Sequence, residues 1–90
     1  MTEKEVLKMV DKKYLDEIRE ENCEPTNRVL PDGDLEWSSS VRAQTKKGDE
    51  ITLLMYYVTT EDERKTAEEM DDYGAIAWAD RIAGYEISYN

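Results

Sequence analysis

Two alternating segments joined by a glycine-containing turn constrain the fold of this chain most strongly. From Leu35 to Thr45, apolar or small residues occupy every second position, and the same period recurs from Glu50 to Thr59. Successive side chains of a β-strand point to opposite faces, so a period of two is typical of strands. Gly48, in the short link between them, can adopt the positive φ angles of tight turns. The region therefore predicts an antiparallel β-hairpin.

One helix is predicted before this hairpin, from Glu3 to Glu21. Thr2 and Glu5 form a capping box, in which a hydroxyl and a carboxylate three residues apart satisfy free amide groups at a helix start. Apolar residues then recur at helical spacing and give one stripe. They are Val6, Leu7, Val10, Tyr14, Leu15 and Ile18.

Prolines, aspartates and Gly33 are concentrated in the following segment, from Glu24 to Asp34. This composition predicts a loop that is held to the core by Val29 and Leu30.

A second helix is predicted to begin at Glu61, because Thr60 and Glu63 form another capping box. A 3.6-residue apolar period continues as far as Ile82. Its positions are Ala67, Met70, Tyr73, Gly74, Ala77, Trp78 and Ile82. Gly74 weakens a helix by about 1 kcal/mol relative to alanine. We therefore expect either one helix or two helices with a break at Tyr73 and Gly74.

A short closing strand is predicted after Gly84, where Tyr85, Ile87 and Tyr89 alternate with polar residues. Ninety residues are enough for one hydrophobic core and too few for two. We therefore expect a single α+β domain spanning residues 1–90. In this fold, a small antiparallel sheet, made of the hairpin and the C-terminal strand, packs against an N-terminal helix and an acidic second helix.

The formal charge of −10, from 12 basic and 22 acidic residues, restricts the partners of this chain. A surface this acidic repels nucleic-acid phosphates and anionic membranes. We therefore expect neither direct nucleic-acid binding nor membrane binding. A basic surface on another protein is the expected partner. Cys23 is the single cysteine, and residues 1–5 lack the apolar run of a signal peptide. Both features predict a cytoplasmic location, in the host cell if a phage encodes the protein.

The acidic side chains of the second helix are the first candidate binding residues. At about 100° per residue, Glu61, Glu68 and Asp72 fall on one line, with Asp62, Glu69 and Asp80 beside it. This carboxylate ridge lies opposite the apolar stripe. It is either a solvated face that keeps the protein soluble or a docking surface for Arg and Lys side chains of a partner. A divalent-cation site is a third alternative.

The second candidate surface is the other face of the predicted strand 50–59, where Leu54, Tyr56 and Val58 are apolar. Either a helix covers this face, or it is exposed and forms an interface. In the second case the protein is a homodimer, and the acidic residues only solvate it.

No residue pattern indicates catalysis or a bound cofactor. The chain has no histidine, and Cys23 lies among glutamates that disfavour a thiolate. The four glycines are isolated, so no phosphate-binding loop is expected. A calcium loop starting at Asp32 would need glycine and glutamate where Trp37 and Ala43 stand. We expect no enzyme activity, no cofactor and no metal.

These features predict a small acidic inhibitor or adaptor that occupies a basic surface of a larger protein. Phage and plasmid inhibitors of nucleases, including anti-CRISPR and anti-restriction proteins, are often similar in size and charge, and this likeness is one of composition and covers no motif. An immunity protein or antitoxin that neutralises a basic toxin has the same charge requirement, so it remains an alternative.

Overall fold

The computed structural model describes residues 1–90 and shows an α+β fold, which confirms the predicted class. Four strands form one antiparallel sheet in the order β1-β2-β3-β4. The helices are α1 (Glu3–Met9), α2 (Lys12–Glu20) and α3 (Glu61–Met70), followed by two 3₁₀ turns (Tyr73–Ala75 and Trp78–Arg81). The strands are β1 (Glu24–Val29), β2 (Leu35–Gln44), β3 (Glu50–Thr59) and β4 (Ile82–Tyr89).

The predicted hairpin is present as β2 and β3. The two strands pair from Leu35 opposite Thr59 to Gln44 opposite Glu50, and Gly48 in the turn has a φ of 95°. Most inward side chains of both strands are buried, and they form the floor of the core. Trp37 adds a buried polar contact, because its indole Nε1 donates to the Thr59 hydroxyl at 2.7 Å.

The predicted N-terminal helix is wrong in one respect, because the structure contains two helices there. Val10 is extended (φ −130°, ψ 158°) and forms an isolated bridge with Thr45. Asp11 then caps α2 by accepting from the Lys13 N–H at 3.0 Å. The break reorients the chain, so that Val6 of α1 and both Leu15 and Ile18 of α2 are almost fully buried on the sheet. One straight helix would not follow the twisted sheet in this way.

The predicted loop at residues 24–34 is also wrong, because its first half is the edge strand β1. Pro25 has no N–H to donate, and such a residue is tolerated at a sheet edge. Asn27 has a φ of 66°, and the register is irregular between Pro25 and Val29. β1 is mostly exposed and lacks an apolar alternation, so no residue pattern predicts a strand there. Residues 30–34 form the expected turn.

The second helix ends earlier than predicted. Asp71 adopts a left-handed conformation (φ 51°) and terminates α3 after Met70, so neither the continuous helix nor the break at Gly74 is correct. Ala67 is the one buried residue of α3, whereas Met70 is 61% exposed and lies outside the core. Trp78 still reaches the core through the second 3₁₀ turn, and packs edge-on against Trp37 at 5.3 Å between ring centroids.

α1 and α2 pack on the inner face of the sheet, whereas α3 contacts mainly the first 3₁₀ turn, which follows it. Side chains of α1 and α2 share one core cluster with the inward residues of β2, β3 and β4. The predicted closing strand is confirmed as β4, although it starts at Ile82 and is eight residues long. No helix has the length and apolar character needed to cross a bilayer.

Candidate functional site

The acidic helix α3 projects its charged side chains into solvent. Glu61, Asp62, Glu68 and Glu69 are all exposed, as is Asp72 beyond the helix end. Because α3 is held to the rest of the molecule mainly through Ala67, little of its surface is used for packing. Most of the circumference of the helix is therefore exposed to solvent.

Part of the predicted ridge is neutralised within the chain. Lys65 Nζ lies 3.4 Å from Glu61 Oε1, and Arg64 Nη1 lies 2.5 Å from Glu68 Oε1. Both pairs join residues four apart on the helix surface, where an ion pair stabilises a helix by a few tenths of a kcal/mol. Glu61 and Glu68 thus support α3 itself, and they are less available to a partner than the sequence indicates.

In α3 and the two residues after it, four exposed acids have no ion-pair partner, and we call them the acidic patch: Asp62, Glu69, Asp71 and Asp72. Asp62 and Glu69 lie two helical turns apart on one line. Asp71 and Asp72 follow the C-terminal end of α3, where the helix dipole is unfavourable to negative charge. A cationic partner would relieve this repulsion. The predicted placement of Asp72 and Asp80 on the helical ridge is wrong, because α3 ends at Met70: Asp72 lies beyond the helix end and Asp80 lies apart in the second 3₁₀ turn.

A groove of about 930 Å³ lies beside α3, and the sequence did not predict it. Trp37, Tyr57 and Trp78 line it together with residues of α2, β1 and α3. Trp78 stands edge-on to Tyr57 at 5.4 Å, and its Nε1 donates to the Tyr73 carbonyl at 3.1 Å. These aromatic residues are far apart in the sequence, so only tertiary packing brings them together.

The groove is apolar in character, although charged residues surround it. Its three arginines each face a glutamate: Arg19 with Glu3 at 2.5 Å, Arg28 with Glu36 at 3.6 Å, and Arg64 with Glu68 at 2.5 Å. Val29 and Tyr73 also line it, and their side chains are 63% and 38% exposed. Exposed apolar and aromatic side chains around a concave surface are typical of protein contact sites.

Cys23 lines the same groove and is half-buried. Burial raises the pKa of its thiol, which favours the neutral form at physiological pH. The thiolate is the nucleophilic form of cysteine, so this environment does not activate Cys23.

The second candidate surface, Leu54, Tyr56 and Val58, lies on the outer face of the sheet, across it from α1 and α2, and α3 contacts mainly the first 3₁₀ turn. The interpretation that a helix covers these residues is therefore wrong. They are half-buried by their neighbours within the sheet, and the Tyr56 hydroxyl donates to Glu86 Oε2 at 2.7 Å. The two sets of predicted binding residues thus belong to separate surfaces.

Comparison of the chain with protein-family models, with curated proteins and with solved structures gives no match. No three His, Cys, Asp or Glu side chains are grouped so that they could hold a metal ion.

Proposed function

We propose that this protein is a non-catalytic binding protein whose acidic patch docks on a basic surface of a larger protein. One observation carries the proposal: α3 buries only Ala67 and leaves Asp62, Glu69, Asp71 and Asp72 exposed without an ion-pair partner. An acidic surface attracts a basic partner over long distances and accelerates association. Carboxylates then form charge-assisted hydrogen bonds with Arg and Lys.

The groove beside α3 supports the same proposal. Charge alone gives fast but weakly specific association, whereas apolar side chains that fill a concave site hold a complex together. Val29 and Tyr73 line this groove and are accessible to a partner. Together, the acidic patch and the groove would combine electrostatic attraction with apolar contacts on one side of the molecule.

Strongly basic surfaces in cells are commonly those that bind nucleic-acid phosphates. We therefore propose that the partner is a nucleic-acid enzyme and that the protein inhibits it by occupying its phosphate-binding surface, in the manner of an anti-CRISPR-like or anti-restriction-like inhibitor. The single cysteine supports a reducing, cytoplasmic site of action.

The test compares two triple variants with equal changes of charge. Asp62→Lys, Glu69→Lys and Asp72→Lys reverse the patch, and Glu61 and Glu68 are retained because they pair within α3. The control reverses three exposed, unpaired acids of α2: Asp16→Lys, Glu17→Lys and Glu20→Lys. Proteins from a host extract that bind the wild type at low salt are identified, purified and titrated against all three forms by calorimetry.

We expect the patch variant to lose at least about 100-fold in affinity, since each close charge pair contributes about 1 kcal/mol or more and reversal adds repulsion. The α2 control should lose less than about fivefold in affinity, because its substitutions weaken only the long-range attraction between the two proteins. Equal losses in both variants would mean that binding follows net charge and no docking surface exists. Unchanged affinity in the patch variant would end the proposal. If the captured protein is a toxin, the protein is an immunity protein or antitoxin and not an inhibitor of a nucleic-acid enzyme.

A further inference from the structure

We infer that residues 86–90, on the free edge of β4, form a contact between two copies of this protein, in which the two β4 strands pair antiparallel and join both sheets into one. We call residues 86–90 the open edge. The inference is independent of the docking proposal, because it uses no residue of the acidic patch or of the groove. β4 is an edge strand with β3 on one side only. Such a strand presents main-chain N–H and C=O groups with which a further strand can pair.

The main-chain groups that the open edge offers are those of Ile87 and Tyr89. The Asn90 N–H donates to the Glu50 carbonyl at 3.2 Å, which fixes the phase of the ladder between β3 and β4. Hydrogen-bonded and non-bonded positions alternate along an antiparallel pair, so the even-numbered residues of this stretch bond to β3 and the odd-numbered ones face away from it. The main-chain groups of Ile87 and Tyr89 are therefore without a strand partner.

Met1 occupies the neighbouring part of the same edge. The Tyr85 N–H donates to the Met1 carbonyl at 3.0 Å, and Met1 N donates to the Tyr85 carbonyl at 2.9 Å. Such an exchange of two hydrogen bonds is the pattern of a hydrogen-bonded antiparallel pair, so the edge of β4 has the geometry to accept a further strand. It also removes Tyr85 from any second pairing, which leaves Ile87 and Tyr89 as the available positions.

The opposite edge of the sheet is protected against strand addition, whereas the open edge is not. β1 contains Pro25, which has no N–H, and Asn27 in a left-handed conformation, and its register is irregular. Features of this kind block pairing at sheet edges. The open edge has no proline, no lysine or arginine and no residue of positive φ, and its Tyr89 is 60% exposed. Strand addition is therefore expected at β4.

A second copy of β4 fits the open edge in one register. A two-fold axis normal to the sheet at Ser88 sets Ile87 opposite Tyr89 of the second copy, and symmetry repeats this pair. Both residues direct their N–H and C=O groups to the shared edge, so each pair exchanges two hydrogen bonds. An axis at Ile87 would need Tyr85, which Met1 occupies. An axis at Tyr89 would leave Ile87 without a partner among residues 1–90. Only the axis at Ser88 uses both free positions of both copies.

The inner side chains of the open edge complement each other in this register. Ile87 is half-buried and packs against the core cluster, while Tyr89 lies on the same face and is exposed. In the dimer each Ile87 lies beside Tyr89 of the second copy, and an aromatic residue beside a β-branched one is a favourable cross-strand pair. The second copy thus supplies an apolar side chain at both positions that face the free main-chain groups. We therefore assign a second copy as the occupant.

The outer side chains bring no like charges into contact. Ser88 lies opposite Ser88 of the second copy, and Glu86 lies opposite Asn90 of the second copy. Asn90 Oδ1 accepts from the Thr52 hydroxyl at 3.2 Å, so the amide N–H groups of Asn90 are free to donate to Glu86. The two Glu86 carboxylates lie roughly 14 Å apart, and Glu50 lies roughly 10 Å from Glu86 of the second copy. Both distances exceed the Debye length of about 8 Å at physiological salt, so this repulsion is screened.

The size of the contact predicts a weak dimer. Two short symmetric strand segments bury far less than the roughly 800 Å² per partner of stable complexes. We expect a dissociation constant on the order of 100 µM. Because each copy carries a net charge of −10, added salt should strengthen the dimer.

Amide hydrogen exchange followed by NMR tests this inference on the whole chain, because it reports on single N–H groups. The Ile87 and Tyr89 N–H groups should exchange about fourfold more slowly at about 1 mM protein than at about 20 µM, since the second copy protects them. The Ser88 N–H is bonded to β3 in monomer and dimer alike, so it is the internal control and should change little. Rates at Ile87 and Tyr89 that do not depend on concentration would overturn the inference.

Two substitutions of Tyr89 separate main-chain pairing from side-chain contact in sedimentation velocity. Tyr89→Pro removes an N–H that points away from β3, so it leaves the sheet of the monomer intact. This variant should remain monomeric up to about 1 mM. Tyr89→Val keeps the N–H and a good strand former, and should weaken the dimer by less than about tenfold. A dimer that persists in Tyr89→Pro, or that is lost equally in both variants, would exclude strand pairing.

A matched pair of serine substitutions tests the position of the two-fold axis. Ser88→Glu places two carboxylates opposite each other at the axis and should weaken the dimer at least about tenfold. Ser40→Glu adds the same charge at an exposed position of β2, away from the open edge, and should change the dimer by less than about twofold. Equal losses in both variants would mean that net charge or another surface controls association, which would exclude the contact at β4. Circular dichroism verifies that both variants are folded.

Discussion

At the scale of single residues, the contact between Tyr56 and Glu86 has a measurable chemical consequence. The phenol donates to the carboxylate at 2.7 Å, and this hydrogen bond is the largest cause of a raised tyrosine pKa of about 12. Partial burial and the negative charge of Glu86 act in the same direction. The neutral phenol is thus stabilised in the folded state.

We predict that Tyr56 links folding to high pH. The folded pKa lies above the usual value of 10, so the stabilisation is complete below pH 10 and is lost as the pH rises to about 12. The difference in phenolate absorbance between the wild type and Tyr56→Phe isolates this group. In Glu86→Gln, which removes the carboxylate charge, the Tyr56 transition should move down towards pH 10. If Tyr56 titrates at the same pH in both proteins, the carboxylate of Glu86 is not the cause of the raised pKa.

At the scale of elements, two helices begin with the same cap but have different roles in the fold. Thr2 with Glu5 and Thr60 with Glu63 both form complete capping boxes, at the starts of α1 and α3. α1 places Val6 in the core with no solvent exposure, whereas α3 contributes only Ala67. Removing the same type of cap should therefore lower the stability of the whole protein more at α1 than at α3.

We predict that removing each cap separates local from global stability. Thr2→Ala should lower the free energy of unfolding by about 1 kcal/mol, because α1 must form before Val6 can pack. Thr60→Ala should instead speed amide hydrogen exchange in α3 about fivefold, with a smaller change in global stability. Urea unfolding and hydrogen exchange measure the two effects. A global loss for Thr60→Ala as large as that for Thr2→Ala would show that α3 is an integral part of the core.

At the scale of the whole molecule, charge acts against compactness. A net charge of −10 is held on a chain of radius of gyration 14.0 Å, so its carboxylates repel one another at distances comparable with the Debye length. Each of the five ion pairs includes at least one exposed side chain, and together they offset little of this repulsion.

We predict that added salt stabilises the protein at neutral pH. Raising NaCl from about 0.02 M to about 0.5 M should increase the free energy of unfolding by about 1 kcal/mol, because screening weakens net repulsion more than it weakens the few ion pairs. Neutralising the acidic patch with Asp62→Asn, Glu69→Gln, Asp71→Asn and Asp72→Asn should raise the free energy of unfolding at low salt. The further increase on adding NaCl should then be smaller than in the wild type. Stability that falls with salt would mean that the ion pairs dominate.

The amino-acid sequence by itself determined the hairpin, the closing strand and the starts of the first and last helices. Each of these follows from a local rule: alternation between the two faces of β2 and β3, a turn at Gly48, and capping residues at Thr2 and Thr60. The net charge was likewise a property of composition. These signals act between residues close in the chain, so no knowledge of distant partners was needed.

The tertiary structure decided where elements break and which faces stay open. Val10 leaves the helix because it pairs with Thr45, and β1 becomes a strand because β2 offers it hydrogen bonds. The groove exists because Trp78 packs against Trp37, and the outer face is uncovered because α1 and α2 pack on the other side of the sheet. All of these features depend on contacts between residues far apart in the sequence. The free energies of such contacts outweigh local conformational preferences, and the contacts produce no periodic pattern in the sequence from which they could be predicted.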